Sequence, residues 1–186
     1  MRDRIETLWT SDLLSSAEHF VLARAADGWS LSGTTVVPFE GRPAHIAYRV
    51  LADSSWRTQS AEVSVNVDGS ERGLRLEADQ GRWRIDGAPR ADLDGCVDVD
   101  LGWTPATNTL PIRRLALEVD VPVELSVAWL RFPELTVERS TQTYTRLGAT
   151  TWRYQSGPYD FILETTLEGV VTRYGEERIW VAAAGG

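Results

Sequence analysis

"AEVSVNVDGSERGLRLEADQGRWRIDG", from Ala61 to Gly87, places an apolar residue at nearly every second position and interrupts that pattern at turn residues. Val63, Val65 and Val67 alternate with Glu62, Ser64 and Asn66, which is the period of a half-buried strand. Asp68-Gly69 then supplies a tight hairpin turn, because both positions of such a turn need a left-handed backbone. Leu74 and Leu76 share a face on the way out, Gly81 marks a second turn, and Trp83 and Ile85 return. A helix needs a period of 3.6, and this segment has none.

The same period spreads outward. "HIAYRV" sets Ile46, Tyr48 and Val50 on one side, and "VELSVAWLRF" sets Val123, Leu125, Val127 and Trp129 together. "LTVERSTQTYTRL", rich in Thr and Val, reads as a long exposed strand. "YDFILETTLEGVVTRYG" gives two more strands joined near Glu168-Gly169. Ser11 to Arg24 has two readings. Ser11 and Asp12 could cap a helix carrying Leu13, Leu14, Ala17 and Phe20. A strand over "EHFVLARA" is preferred, because Asp27-Gly28 then turns it into "WSLSGTTVV". Turn signals recur about every 8–12 residues, which is all-β spacing. The expected fold is therefore a large curled antiparallel sheet, a half-barrel or β-roll, in one domain over residues 1–186 with its core in about 16–180. A two-layer sandwich is the alternative.

Composition narrows the function classes. Asp and Glu number 27 against 19 basic residues, for a net charge of −8. That balance argues against nucleic acid, whose phosphates call for a basic surface. Every basic residue is Arg. Cys96 is the single cysteine, so neither a disulfide framework nor a thiolate metal cluster is expected. "MRDRIETLWTSDLL" is charged and does not read as a secretory leader, and no run is apolar enough to span a bilayer. The expected location is cytoplasmic. His19 and His45 lie on strand patterns without partners at metal spacing. No nucleophile elbow, phosphate-binding glycine loop or dinucleotide fingerprint occurs, so no cofactor is expected.

One stretch is too rich in polar groups for scaffold alone: "GCVDVDLGWTPATNTLPIRRL", Gly95 to Leu115. Alternation puts Val97, Val99 and Leu101 on one face and Cys96, Asp98 and Asp100 on the other. Two like charges on one face need compensation, and Arg113 and Arg114 are the natural partners. Thr107, Asn108 and Thr109 can pin the intervening loop, and Pro105 and Pro111 stiffen it. This makes either a polar staple across the sheet or a loop that offers Asp, Asn and Arg to a ligand. A calcium loop is not matched by the spacing. Eight Trp residues add large apolar faces with one polar N–H each, a combination that sugars and acyl chains both exploit. They form either a solid core or, in a barrel-like sheet, the lining of a cavity.

That polar stretch also resembles the signature of the "putative glycolipid-binding" family, a bacterial group formerly described as a domain of unknown function. "DGWSLSG", "AYRVLADSSWRTQSAEV", "GRWRIDG", "AWLRFPELTVERSTQTYTRL" and "WRYQSG" match in consistent order, from about Gly28 to Tyr174. Asp98, Asp100, Thr104, Asn108, Leu110, Pro111, Arg113 and Arg114 fall on signature positions. The resemblance implies an extensive antiparallel sheet similar to that of bacterial lipoprotein carriers, and a lipid or glycolipid as partner. It carries over no catalytic residues.

The function expected from these readings is non-catalytic binding of an amphipathic molecule in the concave apolar interior. The acyl part would lie on inward Trp, Leu and Val side chains, with Trp56, Trp103, Trp129 and Tyr144 as the aromatic candidates. The head group would meet Asp98, Asp100, Asn108, Arg113 and Arg114 at the rim. The alternatives are a hydrolase or isomerase using Asp98 or Asp100, and a ligand-free interaction scaffold with a filled interior and an open strand edge.

Overall fold

A computed structural model describes residues 3–115, 118–175 and 179–183. The described residues form one sheet of 15 strands. The first meander runs β1 (Arg4–Ser11), β2 (Ser16–Ala25), β3 (Gly28–Phe39), β4 (Arg42–Asp53), β5 (Thr58–Val67), β6 (Ser70–Asp79), β7 (Arg82–Ile85) and β8 (Ala88–Pro89). The second runs β9 (Asp98–Leu101), β10 (Pro122–Leu130), β11 (Val137–Arg146), β12 (Thr151–Ser156), β13 (Tyr159–Thr165), β14 (Val171–Tyr174) and β15 (Trp180–Ala182). Between β9 and β10 lies a strap that includes a 3-10 turn (Ala106–Asn108) leading into a short helix, α1 (Thr109–Arg114). The two meanders join where β1 pairs with β15, through Trp9↔Ala182 and Thr10↔Val181.

The hairpins form where left-handed pairs allow them. Glu40-Gly41, Asp68-Gly69, Gln80-Gly81 and Asp86-Gly87 all have positive φ at both residues, the backbone twist that a tight hairpin requires. The sandwich alternative is excluded by the single continuous sheet. So is a closed barrel, because the end strands β8 and β9 do not pair with each other. The sheet nevertheless curls far enough for β9 to reach the start of β5, where the Thr58 N–H donates to the Val97 carbonyl at 3.3 Å. One expectation needs correction: the sheet is mixed, because β9 pairs with β10 in parallel. The long strap between Leu101 and Pro122 gives the chain room to turn back in the same direction, which a hairpin cannot do.

Several local readings change as well. β1 is not marked by the sequence pattern, because Leu8 lies on its exposed face and Thr7 and Ser11 on its inward face, yet it delivers a fully buried Trp9. β11 is not exposed on both faces: Gln142 is buried against Asp100 of β9 and Tyr144 against Asn108 of the strap. Cys96 does not share a face with the aspartates. It precedes β9 and sits in the core.

The concave side is packed in two clusters. The larger joins Trp9, Phe20, Leu31, Trp83 and Leu101 to the strap residues Ala106 and Leu110. The smaller gathers Ile112, Tyr144, Trp152, Tyr154 and Leu163. The strap thus contributes to both clusters. Its helix buries Thr109 to Ile112, and Thr109 Oγ1 donates to the Gly169 carbonyl at 3.2 Å, tying it to the β13–β14 turn.

Candidate functional site

Between the two clusters, both of which Tyr174 packs against, a cleft of about 370 Å³ opens. One wall is the β9 end and the strap, with Leu101, Trp103 and Thr104. Gly102 lets Trp129 close against that wall, since a side chain there would stand 2.6 Å from the Trp129 Nε1. The facing wall is an aromatic ladder. Tyr154 and Tyr174 lie 6.1 Å apart, Tyr174 and Phe161 5.3 Å, and Phe161 stacks on Tyr159 at 5.9 Å. All four rings line the cleft. Such contacts give extended apolar faces with favourable ring geometry.

Asp100 and Asn108 stand among the polar groups of the lining, with Thr104, Ser140 and Ser156. Asp100 accepts hydrogen bonds from Gln142 Nε2 at 2.6 Å and Thr107 Oγ1 at 3.2 Å, both neutral donors. Burial raises its carboxyl to about 6, against the pull of those two donors. Asn108 is fixed from both ends. Its Nδ2 donates to the Pro105 carbonyl at 3.0 Å, and its Oδ1 accepts from the Tyr144 hydroxyl at 2.6 Å. The Trp103 indole N–H is buried without an acceptor among the described residues.

Asp98 has a different fate. It is buried and forms an ion pair with Arg114. Burial raises its carboxyl, while the Arg114 guanidinium opposes that rise. This pair is the staple that the alternation pointed to, and it fixes the end of α1 to β9. Arg113 is not a partner of either aspartate. Its guanidinium lies over the Trp56 ring at 5.3 Å and reaches the Leu167 carbonyl at 3.4 Å. Trp56 is itself stacked on Trp29 at 4.7 Å and belongs to the larger cluster.

The nine candidate residues therefore separate into groups. Asp100, Asn108, Trp103 and Trp129 line the cleft, and Tyr144 stands behind it, holding Asn108. Asp98 and Arg114 form the staple, and Arg113 and Trp56 pack together outside the cleft. The head group expected at two arginines thus meets none there: the described lining holds Asp100 and no basic side chain.

Sequence reasoning missed one buried acid altogether. Glu18 is fully buried and accepts from the hydroxyls of Thr35 at 2.9 Å, Thr104 at 2.7 Å and Tyr48. Burial raises its carboxyl above the usual range. Through Thr104 it anchors the strap to the first meander. Gly33 faces Tyr48 across the β3–β4 pair, and any side chain there would collide with the Tyr48 ring. The available signal was phase, because Glu18 alternates with Phe20 and Leu22 on β2. Among the described residues, no three His, Cys, Asp or Glu side chains gather in a way that could hold a metal ion. No described helix is long and apolar enough to cross a membrane.

Comparison with known proteins bears on this geometry. A crystal structure of a DUF1089 family protein from Pseudomonas aeruginosa is similar, with a TM-score of 0.78 and 31% identity over 87% of this chain and 89% of that one. The comparison with curated proteins found no match. The family profile described as "putative glycolipid-binding" matches residues 6–178, from within β1 to beyond β14 and across both meanders and the strap. With that span, the chain belongs to this family.

Proposed function

We propose that the protein binds an amphipathic glycolipid without transforming it, and that the cleft between the two core clusters is the binding site. The observation that carries this reading is the combination in one cavity of an aromatic ladder with a carboxyl and a fixed amide. Its volume falls in the range of small-ligand pockets, about 300–1,000 Å³. The family description points the same way. The site moves from the broad concave interior, which side chains fill, to the gap that the strap leaves open. Native mass spectrometry of gently purified protein, with organic extraction of whatever is released, tests the reading. A discrete co-purified mass that fragments to a sugar and an acyl chain is the expected result. Protein that stays bare, and that takes up no glycolipid when lipid extracts are added back, would rule the reading out.

Asp100 favours a second reading, acid–base chemistry on a small ligand, because a carboxyl near 6 can exchange protons at neutral pH. A two-carboxylate hydrolase loses support, since Asp98 is committed to Arg114. Turnover abolished in Asp100→Asn with binding intact would replace carrier by enzyme.

A further inference from the structure

We infer that the cleft takes its ligand head first: an uncharged, hydroxyl-rich sugar sits against Asp100 and Asn108, and the acyl chain leaves across Leu14, Pro158 and Tyr159. This rests on the glycolipid-binding reading and adds an orientation and an exclusion, that of phosphate-bearing lipids. Charge is the first argument. Phosphate recognition uses forked arginines or clustered N–H donors. The described lining instead offers a carboxyl and no basic side chain, so an anionic head would face repulsion without compensation. A sugar hydroxyl both donates and accepts. Among the described residues, each Asp100 oxygen accepts a single hydrogen bond, from Thr107 or from Gln142, and so keeps room for another donor. Asn108 Nδ2 spends one hydrogen on Pro105 and retains a second.

Depth is the second argument. Asn108 and Tyr154 are 7% exposed, whereas Leu14 is 38% and Tyr159 53% exposed. The Asn108 amide therefore sits deep, beside the buried Leu101, Trp103 and Trp180, while exposed apolar side chains form the mouth. Leu13, next to Leu14 on the β1–β2 hairpin tip, is 62% exposed and extends this apolar rim. A volume of about 370 Å³ suits a ring and the first part of a chain, not a complete glycolipid.

The test titrates the full chain by calorimetry, below micelle concentrations, with n-octyl β-glucoside, methyl β-glucoside and n-octyl phosphate. The expected result is one octyl glucoside per chain, with octyl phosphate at least tenfold weaker. Asp100→Asn should weaken octyl glucoside tenfold or more, the size of one charge-assisted hydrogen bond. Tyr159→Ser should weaken octyl glucoside several-fold and leave methyl glucoside unchanged. Near-UV circular dichroism confirms that both variants are folded. If octyl phosphate binds as well as the glucoside, or if folded Asp100→Asn binds the glucoside normally, the head-first orientation is wrong while glycolipid binding survives. Silence from all three probes also overturns the inference. A glycolipid found on the purified protein would then still uphold the parent reading, and its absence would end both.

Discussion

Asp98 and Asp100 stand two residues apart on the same short strand, and their surroundings differ in their partners and in access to the cleft. Asp98 has a cation, Arg114, whereas among the described residues the donors to Asp100 are the neutral Gln142 and Thr107. The buried ion pair holds the strap to the sheet through one Asp98 oxygen, and the other, Oδ2, is buried without a partner among the described residues. The carboxyl with neutral donors retains an unsatisfied preference for a proton, and it lines a cleft. The difference shows how one strand can carry a structural acid and a cleft-lining acid in successive positions of one face. What separates them is the charge of the partner, not burial, because burial raises both.

Removing Arg114 should have the largest effect. Arg114→Ala leaves Asp98 buried without its cation, and losses of this kind run to about 3–5 kcal/mol. Urea denaturation measures it. A loss below about 1 kcal/mol would mean that Asp98 sheds its charge at little cost and that the staple is not structural.

Asp100→Asn should act through pH. The Asp100 carboxyl is raised from 3.8 to about 6, so between those values the folded state holds a proton that the unfolded chain has lost. Stability from this group is complete below the lower value and disappears as pH rises through the upper one. Each pH unit between the two values is worth about 1.4 kcal/mol, so the variant should gain on the wild type by up to about 3 kcal/mol between pH 4 and pH 7. Comparing the two proteins isolates Asp100 from Glu18, which titrates in the same direction. Equal pH profiles would erase the distinction between the two aspartates.

Arg113→Ala should have the smallest effect. Its contact with Trp56 is worth about 0.5–1 kcal/mol, and octyl glucoside uptake should not change. Lost uptake would move the head group to the arginine side of α1 and undo the division described above.

Local chemistry made the hairpins legible. Alternation in Val63, Val65 and Val67, closed by Asp68-Gly69, is complete within ten residues. The staple was half legible: like charges on one face demanded a cation, and one of the two arginines named supplies it. Gln142 was hidden, because nothing local distinguishes it from the other polar residues of β11. Glu18 was hidden for a related reason. Its three hydroxyl partners come from β3, β4 and the strap, so only the folded sheet gathers them. The cleft is a space between two clusters, and its lining comes from the second meander, the strap and Leu14 of the β1–β2 hairpin. No periodicity records such a gap.

An open sheet must end somewhere, and a bare end invites strand-by-strand aggregation. At one end β8 spans only Ala88–Pro89, and proline offers no N–H to an incoming chain. At the other, Thr58 Oγ1 accepts from the Val99 N–H at 3.0 Å and Thr107 Oγ1 from the Leu101 N–H at 3.2 Å. Two threonine side chains thus occupy the donors that a visiting strand would need. Thr107 also holds Asp100, so the group that shapes the cleft is part of what keeps neighbouring molecules from zipping onto β9.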